Sequence, residues 1–436
     1  MYRAFRLSAS LIAAGLTFAA STALAQSTQH TEGAQAILAS PAFKTAAADL
    51  DKQHARIVEE GIMLTEIPAP PFMEEVRGKK FAEMFKAAGL TDVQVDTEGN
   101  VIGFRKGTKG DGKFVVFSAH LDTVFPPETN VKVRREGNKL HAPGIGDDTF
   151  SLAAMLGMIR AMNAAGIKTR DDIMFVGTVG EEGPGDLRGV RFMFNKGAYK
   201  DKIKSFFSLE AGSVASITNG AVGSKRYRFT FKGPGGHSYG AFGLVNPMYA
   251  LGQAAANMSQ MEVPEKPKTT YSIGLIGGGT SVNSIPLEGW MEVDIRSEAP
   301  AELKKIEAKI LQAVQDAVTD ENKRHSTKEG ALTVDVKMIG DRPAGNTDVK
   351  SDLVQMATAA IAAAGHKVDY GYSSTDSNIP MSLGIPAITI GKNAPDNRGG
   401  RAHSLDEWID VEKGPMVKGM TTSLSILMAA TGMETK

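Results

Sequence analysis

The chain contains no cysteine, so no disulfide braces it and no thiolate is offered to a metal; any metal ligands must come from histidine, aspartate and glutamate. Excess charge is absent too, because 49 lysines and arginines meet 49 aspartates and glutamates. With no basic block and no basic patch interleaved with aromatics, nucleic acid is not an expected partner. The leader-like apolar run is confined to the N-terminus. Arg3 and Arg6 precede a run from Leu7 to about Leu24, and Ala23-Leu24-Ala25 puts small residues where a signal protease needs them. Abundant Ala, Ser and Thr together with that cleavage site favour a secretory signal peptide over a transmembrane anchor. The expectation is that residues 1–25 are removed after Ala25 and that a soluble protein reaches the periplasm, with no membrane association after processing. A length of 436 residues exceeds one ordinary core and predicts two domains.

What is present begins with the apolar run Phe114 to Phe117, a strand buried on both faces, which ends in His120 and Asp122 where open parallel sheets place their ligands. Ahead of it lie two helices divided near Ser40-Pro41, a turn at Pro68 to Pro71, a helix from Glu74 to Ala88 stopped by Gly89, and a hairpin of Val93 to Val95 with Val101 to Phe104. Behind it, the loop Pro143 to Asp148 delivers Asp147 and Asp148 to a helix whose buried side is marked by Leu152, Met155, Leu156, Ile159 and Met162. A strand from Ile173 to Val179 runs into Glu181 and Glu182, and another from Phe206 to Leu209 ends in Glu210. A last strand, Ala387 to Ile390, leads through a glycine-rich loop to His403.

Like charges at the end of a buried strand repel one another and are hard to desolvate, so a cation is the usual reason to keep them there. His120, Asp147, Glu181 or Glu182, Glu210 and His403 form a nitrogen and oxygen donor set that suits zinc, cobalt or manganese. Five donors exceed one tetrahedral zinc, and a carboxylate bridging two metals about 3.5 to 4 Å apart accounts for the surplus. His30, His54, His141, His325 and His366 are expected at the surface or in packing.

The middle of the chain is built differently. Tyr227, Phe229 and Phe231 alternate with polar residues in a half-exposed strand, and a helix follows from Pro247 to about Gln260. Strands near Tyr271 to Ile276 and Trp290 to Arg296, a helix from Pro300 to about Asn322, and a strand from Leu332 to Ile339 complete a β-α-β-β-α-β pattern. The fold class expected is therefore α/β: a mostly parallel-sheet domain with helices on both faces, made from residues 26–222 and 341–436, with an α+β ferredoxin-like domain of residues 223–340 inserted. His237 in Gly233 to Ser238, Asn283 in Ser281 to Pro286 and Arg296 are the insert's candidate functional residues, with Arg342 just beyond it, an arginine fork suiting a substrate carboxylate.

The strings Glu66-Ile67-Pro68-Ala69-Pro70-Pro71, Glu181-Glu182-Gly183, Ser281-Val282-Asn283-Ser284-Ile285-Pro286, Ser374-Thr375-Asp376-Ser377-Asn378 and Gly399-Gly400-Arg401-Ala402-His403-Ser404 carry a resemblance across nearly all of the chain past the leader. It resembles the di-zinc metallopeptidase and deacylase family that includes carboxypeptidase G, peptidase T, aminoacylase and succinyl-diaminopimelate desuccinylase, and its motifs are most like the tripeptidase and carboxypeptidase G members. The resemblance implies two zinc ions bridged by Asp147, one also held by His120 and Glu210, the other by Glu182 and His403. Among catalytic residues it implies Glu181 as general base, Asp122 as the carboxylate orienting His120, and His237 offered to an active site, often that of a partner subunit. The insert becomes a lid and the contact of a homodimer, with Asn283 and Arg296 or Arg342 holding substrate. Hinge motion near Gly220 to Gly223 and Gly340 to Gly345 is expected to gate turnover.

One departure from many relatives is the bulky Thr149-Phe150-Ser151 after the two aspartates, which is expected to fill the floor of the site near Phe150. The activity expected is exopeptidase hydrolysis of short peptides, through a water shared by two zinc ions and deprotonated by Glu181. An N-acyl amino acid amidohydrolase would use the same centre. A non-catalytic periplasmic binding protein also fits two lobes and an export signal, but it has no use for a free carboxylate beside a metal ligand.

Overall fold

Residues Val115 to His120 and Ile173 to Thr178 are buried along their whole length, and they lie side by side in parallel strands, Phe114–His120 and Asp172–Thr178. Strands covered on both faces need no polar alternation, which is why their sequences read as continuous apolar runs. These coordinates are a computed structural model that describes residues 28–435; the expected leader of residues 1–25 lies outside the described residues. No helix among the described residues is long and apolar enough to cross a membrane.

The large sheet has nine strands. Their order is Thr91–Val95, Val101–Arg105, Asp172–Thr178, Phe114–His120, Ile203–Ser213, Ala387–Asn393, Ser216–Ala221 and Gly345–Asn346, with Asp369–Ser373 also paired to Ser216–Ala221. The four strands from Asp172–Thr178 to Ala387–Asn393 run parallel, so their C-terminal ends emerge along one edge. Antiparallel neighbours flank them on both sides. Alternate residues feed two cores. Val115, Phe117, Phe175 and Phe207 pack under the helices Pro41–Lys52, Phe150–Ala164 and Lys413–Thr431, while Val116, Met174, Val176 and Phe206 meet Val190, Met193 and Phe194 of the helix Arg188–Asn195.

The inserted sheet is antiparallel, with the order Thr269–Gly278, Glu288–Ser297, Gly223–Lys232, Thr333–Arg342. That order is the one a split β-α-β-β-α-β unit produces. One face buries Tyr227, Phe229 and Phe231 against Leu251 and Ala254 of the helix Pro247–Ser259 and Ile306 and Ile310 of Pro300–Arg324. The chain enters the insert across residue 222 alone and leaves it across residues 343–344, between strands of the two sheets. The side-chain amide of Asn378 donates to both crossings, to the carbonyls of Val222 (2.9 Å) and Pro343 (3.0 Å).

Several elements differ from the sequence expectation. The strand expected to end before Glu210 runs on to Ser213, because Gly391 and Asn393 of its neighbour keep pairing with it. The strand Ser216–Ala221 and a small sheet of Gly399–Gly400, Trp408–Asp410, Lys139–His141 and Arg134–Glu136 were not foreseen; their short, mixed sequences carry no period. Phe150 does not floor the site. It is buried in the core against Gly61, where a Cβ would overlap its ring.

That contact yields a stability test. Gly61→Val is expected to lower unfolding free energy in urea by about 1 to 3 kcal/mol through overpacking, and Phe150→Leu in the same chain should restore part of the loss. Unchanged stability would show that the core around Phe150 gives way freely.

Candidate metal centre

All four parallel strands direct residues toward one cavity, Val124, Glu181 and Glu182 from past two strand ends, and Glu210 and Thr389 from within the other two. Its volume is about 490 Å³, and Asp147, Glu181, Glu182, Glu210, Arg296, Arg342 and His403 are among the residues lining it. His120 is the last residue of its strand and is 1% exposed. Its Nε2 lies 3.0 Å from Asp147 Oδ1 and 3.6 Å from Glu210 Oε2. On the other side of Asp147, His403 Nε2 lies 3.3 Å from Oδ2 and 2.9 Å from Glu182 Oε1. One carboxylate therefore faces two imidazoles, one oxygen to each, and each imidazole faces a further carboxylate.

Five donors of nitrogen and oxygen so arranged fit a pair of hard to borderline divalent cations sharing Asp147. Two overlapping triads have ligand atoms within 4.8 Å of one another: His120, Asp147 and Glu182, and His120, Asp148 and Glu210. Asp148 is the weaker candidate of the two aspartates, because its oxygens already accept from the His120 N–H (3.2 Å) and the Ser151 hydroxyl.

The electrostatics follow from this crowding. Hydrogen bonds to Asp147 and Glu182 push His403 up to about 10. Burial opposes the charged form of His120, yet Glu210, Asp122 and Asp147 hold its pKa well above the usual value. Asp147 is half-buried, and contact with the two histidines keeps its carboxyl well below the usual range. Glu181 moves the other way: burial, with Glu182 beside it, pushes it well above the ordinary carboxylate value against the pull of Arg342.

Asp122 does more than face the histidine. His120 Nδ1 is 2.9 Å from the backbone carbonyl of Asp122, while the carboxylate stands 3.6 Å away. The carboxylate accepts instead from the N–H groups of Glu181 (2.9 Å) and Glu182 (2.8 Å), fixing the turn that presents both acids. Behind it, the buried Arg77 donates to the carbonyls of Leu121 (2.6 Å) and Ile67 (2.6 Å), docking the Pro68 to Pro71 turn on this edge.

Glu181 is not turned toward either histidine. Its Oε1 is 3.2 Å from Arg342 Nη1, and its backbone carbonyl accepts from Arg342 Nη2. Arg342, which also donates to Ser374 (3.1 Å), thus commits both Nη groups to the protein although it lines the cavity, and its buried Nε makes no hydrogen bond among the described residues. Arg296 spends only Nε, on Asp294 (2.7 Å), and its Nη groups remain for a ligand. His237 and Asn283 do not line this cavity. They are neighbours on an exposed ribbon of the insert, where His237 pairs with Ser284 and the Ser238 N–H donates to the Asn283 carbonyl (3.0 Å).

Sequence reading missed Glu407 and Lys392. Both are buried, and both bind the peptide groups around Gly146. Glu407 follows His403 by four residues in a segment with no regular period, so its sequence context gives no signal.

The profile of the family described as peptidase family M20/M25/M40 matches residues 116–428. The chain is 28% identical over 251 residues to a succinyl-diaminopimelate desuccinylase of Burkholderia multivorans, a match that spans 52% of this chain and 65% of that protein. In fold it is similar to aminopeptidase PepT of Bacillus cereus, at a TM-score of 0.69 and 22% identity over 86% of this chain and 98% of that one. A tripeptidase of Staphylococcus aureus gives 0.70 and 21% over 86% and 99%. A dinuclear metal-binding peptidase of Bacillus subtilis gives 0.61 and 18% over 87% and 99%.

Asp122→Ala separates the two jobs of that residue, since the carbonyl that meets His120 stays in place. The expected result is a folded protein whose zinc affinity falls about 10- to 100-fold at the Glu182 and His403 position, read by titration calorimetry. Wild-type affinity there would mean the Glu181-Glu182 turn holds itself.

Proposed function

Because the chain belongs to peptidase family M20/M25/M40, we propose that it hydrolyses an amide bond in short peptides as a two-metal exopeptidase. The observation that carries this reading is Asp147 placed between His120 and His403, with Glu181, held by Arg342, next to Glu182, which meets His403. When bound, two divalent cations, zinc by this proposal and cobalt or manganese as substitutes, would polarise the scissile carbonyl and lower the pKa of a water between them.

The chain's own residues do the rest. Glu181 takes a proton from the attacking water and passes it to the leaving nitrogen as the carbon–nitrogen bond breaks. Arg342 holds Glu181 by side chain and backbone, so the base keeps one position. Arg296 grips a substrate carboxylate with its Nη groups. A cavity of about 490 Å³ suits a ligand of a few residues.

His237 and Asn283 reach an active site from a second copy of the chain in this reading, and the insert is both lid and dimer contact. Tyr239, Phe242 and Val282, exposed beside them, give that face the apolar surface a partner would cover. Export to the periplasm with removal of residues 1–25 belongs to the same proposal.

A second reading, hydrolysis of an N-acyl amino acid, is favoured by the desuccinylase likeness. The same donors and the same arginine serve it, so a panel of di- and tripeptides against N-acyl and N-succinyl amino acids separates the two.

Glu181→Gln tests the common mechanism. The variant should bind two zinc ions per chain like the wild type while turnover on the best substrate falls by about 10²- to 10⁴-fold. Turnover at the wild-type rate would remove Glu181 from proton transfer.

A further inference from the structure

We infer that Glu407 is a positioning residue of the metal centre, one that fixes the loop of the bridging Asp147 and the loop of His403 as a single unit, so that both cation positions form together. This inference rests on the two-metal reading above.

Glu407 is 2% exposed, yet among the described residues its carboxylate makes no ion pair with a basic side chain. Its oxygens accept from three backbone N–H groups: Oε1 from Gly146 (2.7 Å) and Asp147 (2.9 Å), Oε2 from Gly144 (3.1 Å). Its own carbonyl accepts from the Ala142 N–H (3.0 Å), and the pairing of Trp408 with His141 continues the contact as a ladder. The segment from His403 to Asp410 is thereby fastened along the segment from Lys139 to Asp147. From the opposite side, the buried Lys392 donates to the Gly146 carbonyl (2.9 Å). The peptide groups on either side of Gly146 are held by one acid and one base, and the next side chain is the bridging carboxylate.

The loop around His403 is closed by the pairing of Gly399 and Gly400 with Ile409 and Trp408, and among the described residues the only side-chain contacts from residues 401–406 that leave the loop are those of His403. The His403 side chain is 54% exposed, and its contacts are with Asp147 (3.3 Å) and Glu182 (2.9 Å). The nearby bonds of Arg401, Ser404 and Asp406 join residues of the same loop. Bonds inside a loop set its shape but not its distance from Asp147. Glu407 supplies that distance, four residues on from the imidazole. Gly146 is part of the fit, because a Cβ there would come within 3.0 Å of Glu407 Oε1.

Carboxylates and carbonyls that orient ligands from behind typically change metal affinity by about 10- to 100-fold when removed. Glutamine at 407 keeps the volume but turns an amide N–H₂ toward N–H donors, so at least one of the three bonds is lost.

The test is a titration of the chelator-stripped full chain with Co²⁺, followed by calorimetry and by visible absorption. Wild type should take up two equivalents per chain. Glu407→Gln, shown folded by circular dichroism, should bind the second equivalent about 10- to 100-fold more weakly, with an altered cobalt spectrum. Gly146→Ala, which crowds the same carboxylate from the other side, should shift the second equivalent in the same direction. Should Glu407→Gln fail to fold, Gly146→Ala decides by the same criterion. Two equivalents with wild-type affinity and spectrum in the folded variant would overturn the inference. So would a lower melting temperature with cobalt binding unchanged, which would leave Glu407 a stabilising role alone. Uptake of no cobalt by the wild type would instead bring down the two-metal reading, and this inference with it.

Discussion

Asp147, Glu181, Glu182 and Glu210 reach one cavity at the C-terminal edge of four parallel strands. Carboxylates this close, with burial limiting the water that could screen them, repel one another unless positive charge stands between them. His120, His403 and Arg342 supply part of it, each in contact with one or two of the acids. In the proposed reading, divalent cations held by Asp147 would supply the remainder. The rest of the catalytic domain reads as the means of holding that repulsive set in place: strands covered by helices on both sides for rigidity, and a turn or loop at each strand end to aim one ligand.

The aiming is done mostly by backbone. Asp122 fixes Glu181 and Glu182 through their N–H groups and meets His120 through its carbonyl. Glu407 and Lys392 fix the Gly146 peptide groups ahead of Asp147. Buried side chains bonded to the main chain fix the backbone that carries each candidate ligand, and partners behind a ligand set its orientation. The insert is tied into the same region, since Asn378 joins both chain crossings and Arg342, the last residue of an insert strand, grips Glu181. Displacing the insert would therefore disturb Glu181 as well as the cavity wall.

The buried strands could be read from the sequence because full coverage makes them uninterrupted apolar runs, and the insert because one-sided burial makes Tyr227, Phe229 and Phe231 alternate. The candidate ligands stand out together rather than singly: His120, Glu182 and Glu210 come at or just past the ends of apolar strands, and Asp147 and His403 in loops that follow such strands. Contacts between segments remote in sequence do not stand out. Gly146 and Glu407 are 261 residues apart, and Glu181 and Arg342 are 161 apart, so no local pattern announces either pair. Phe150 misled for a related reason. Its place is decided by the gap at Gly61 on another helix, which a reading of the neighbouring aspartates does not contain.

A shared pair of cations at Asp147 is tested most directly by anomalous diffraction at the zinc edge from crystals of the zinc-loaded protein. Two peaks about 3.5 to 4 Å apart are expected, one beside His120 and Glu210 and the other beside Glu182 and His403, with Asp147 between them. A single peak, or peaks away from Asp147, would contradict it.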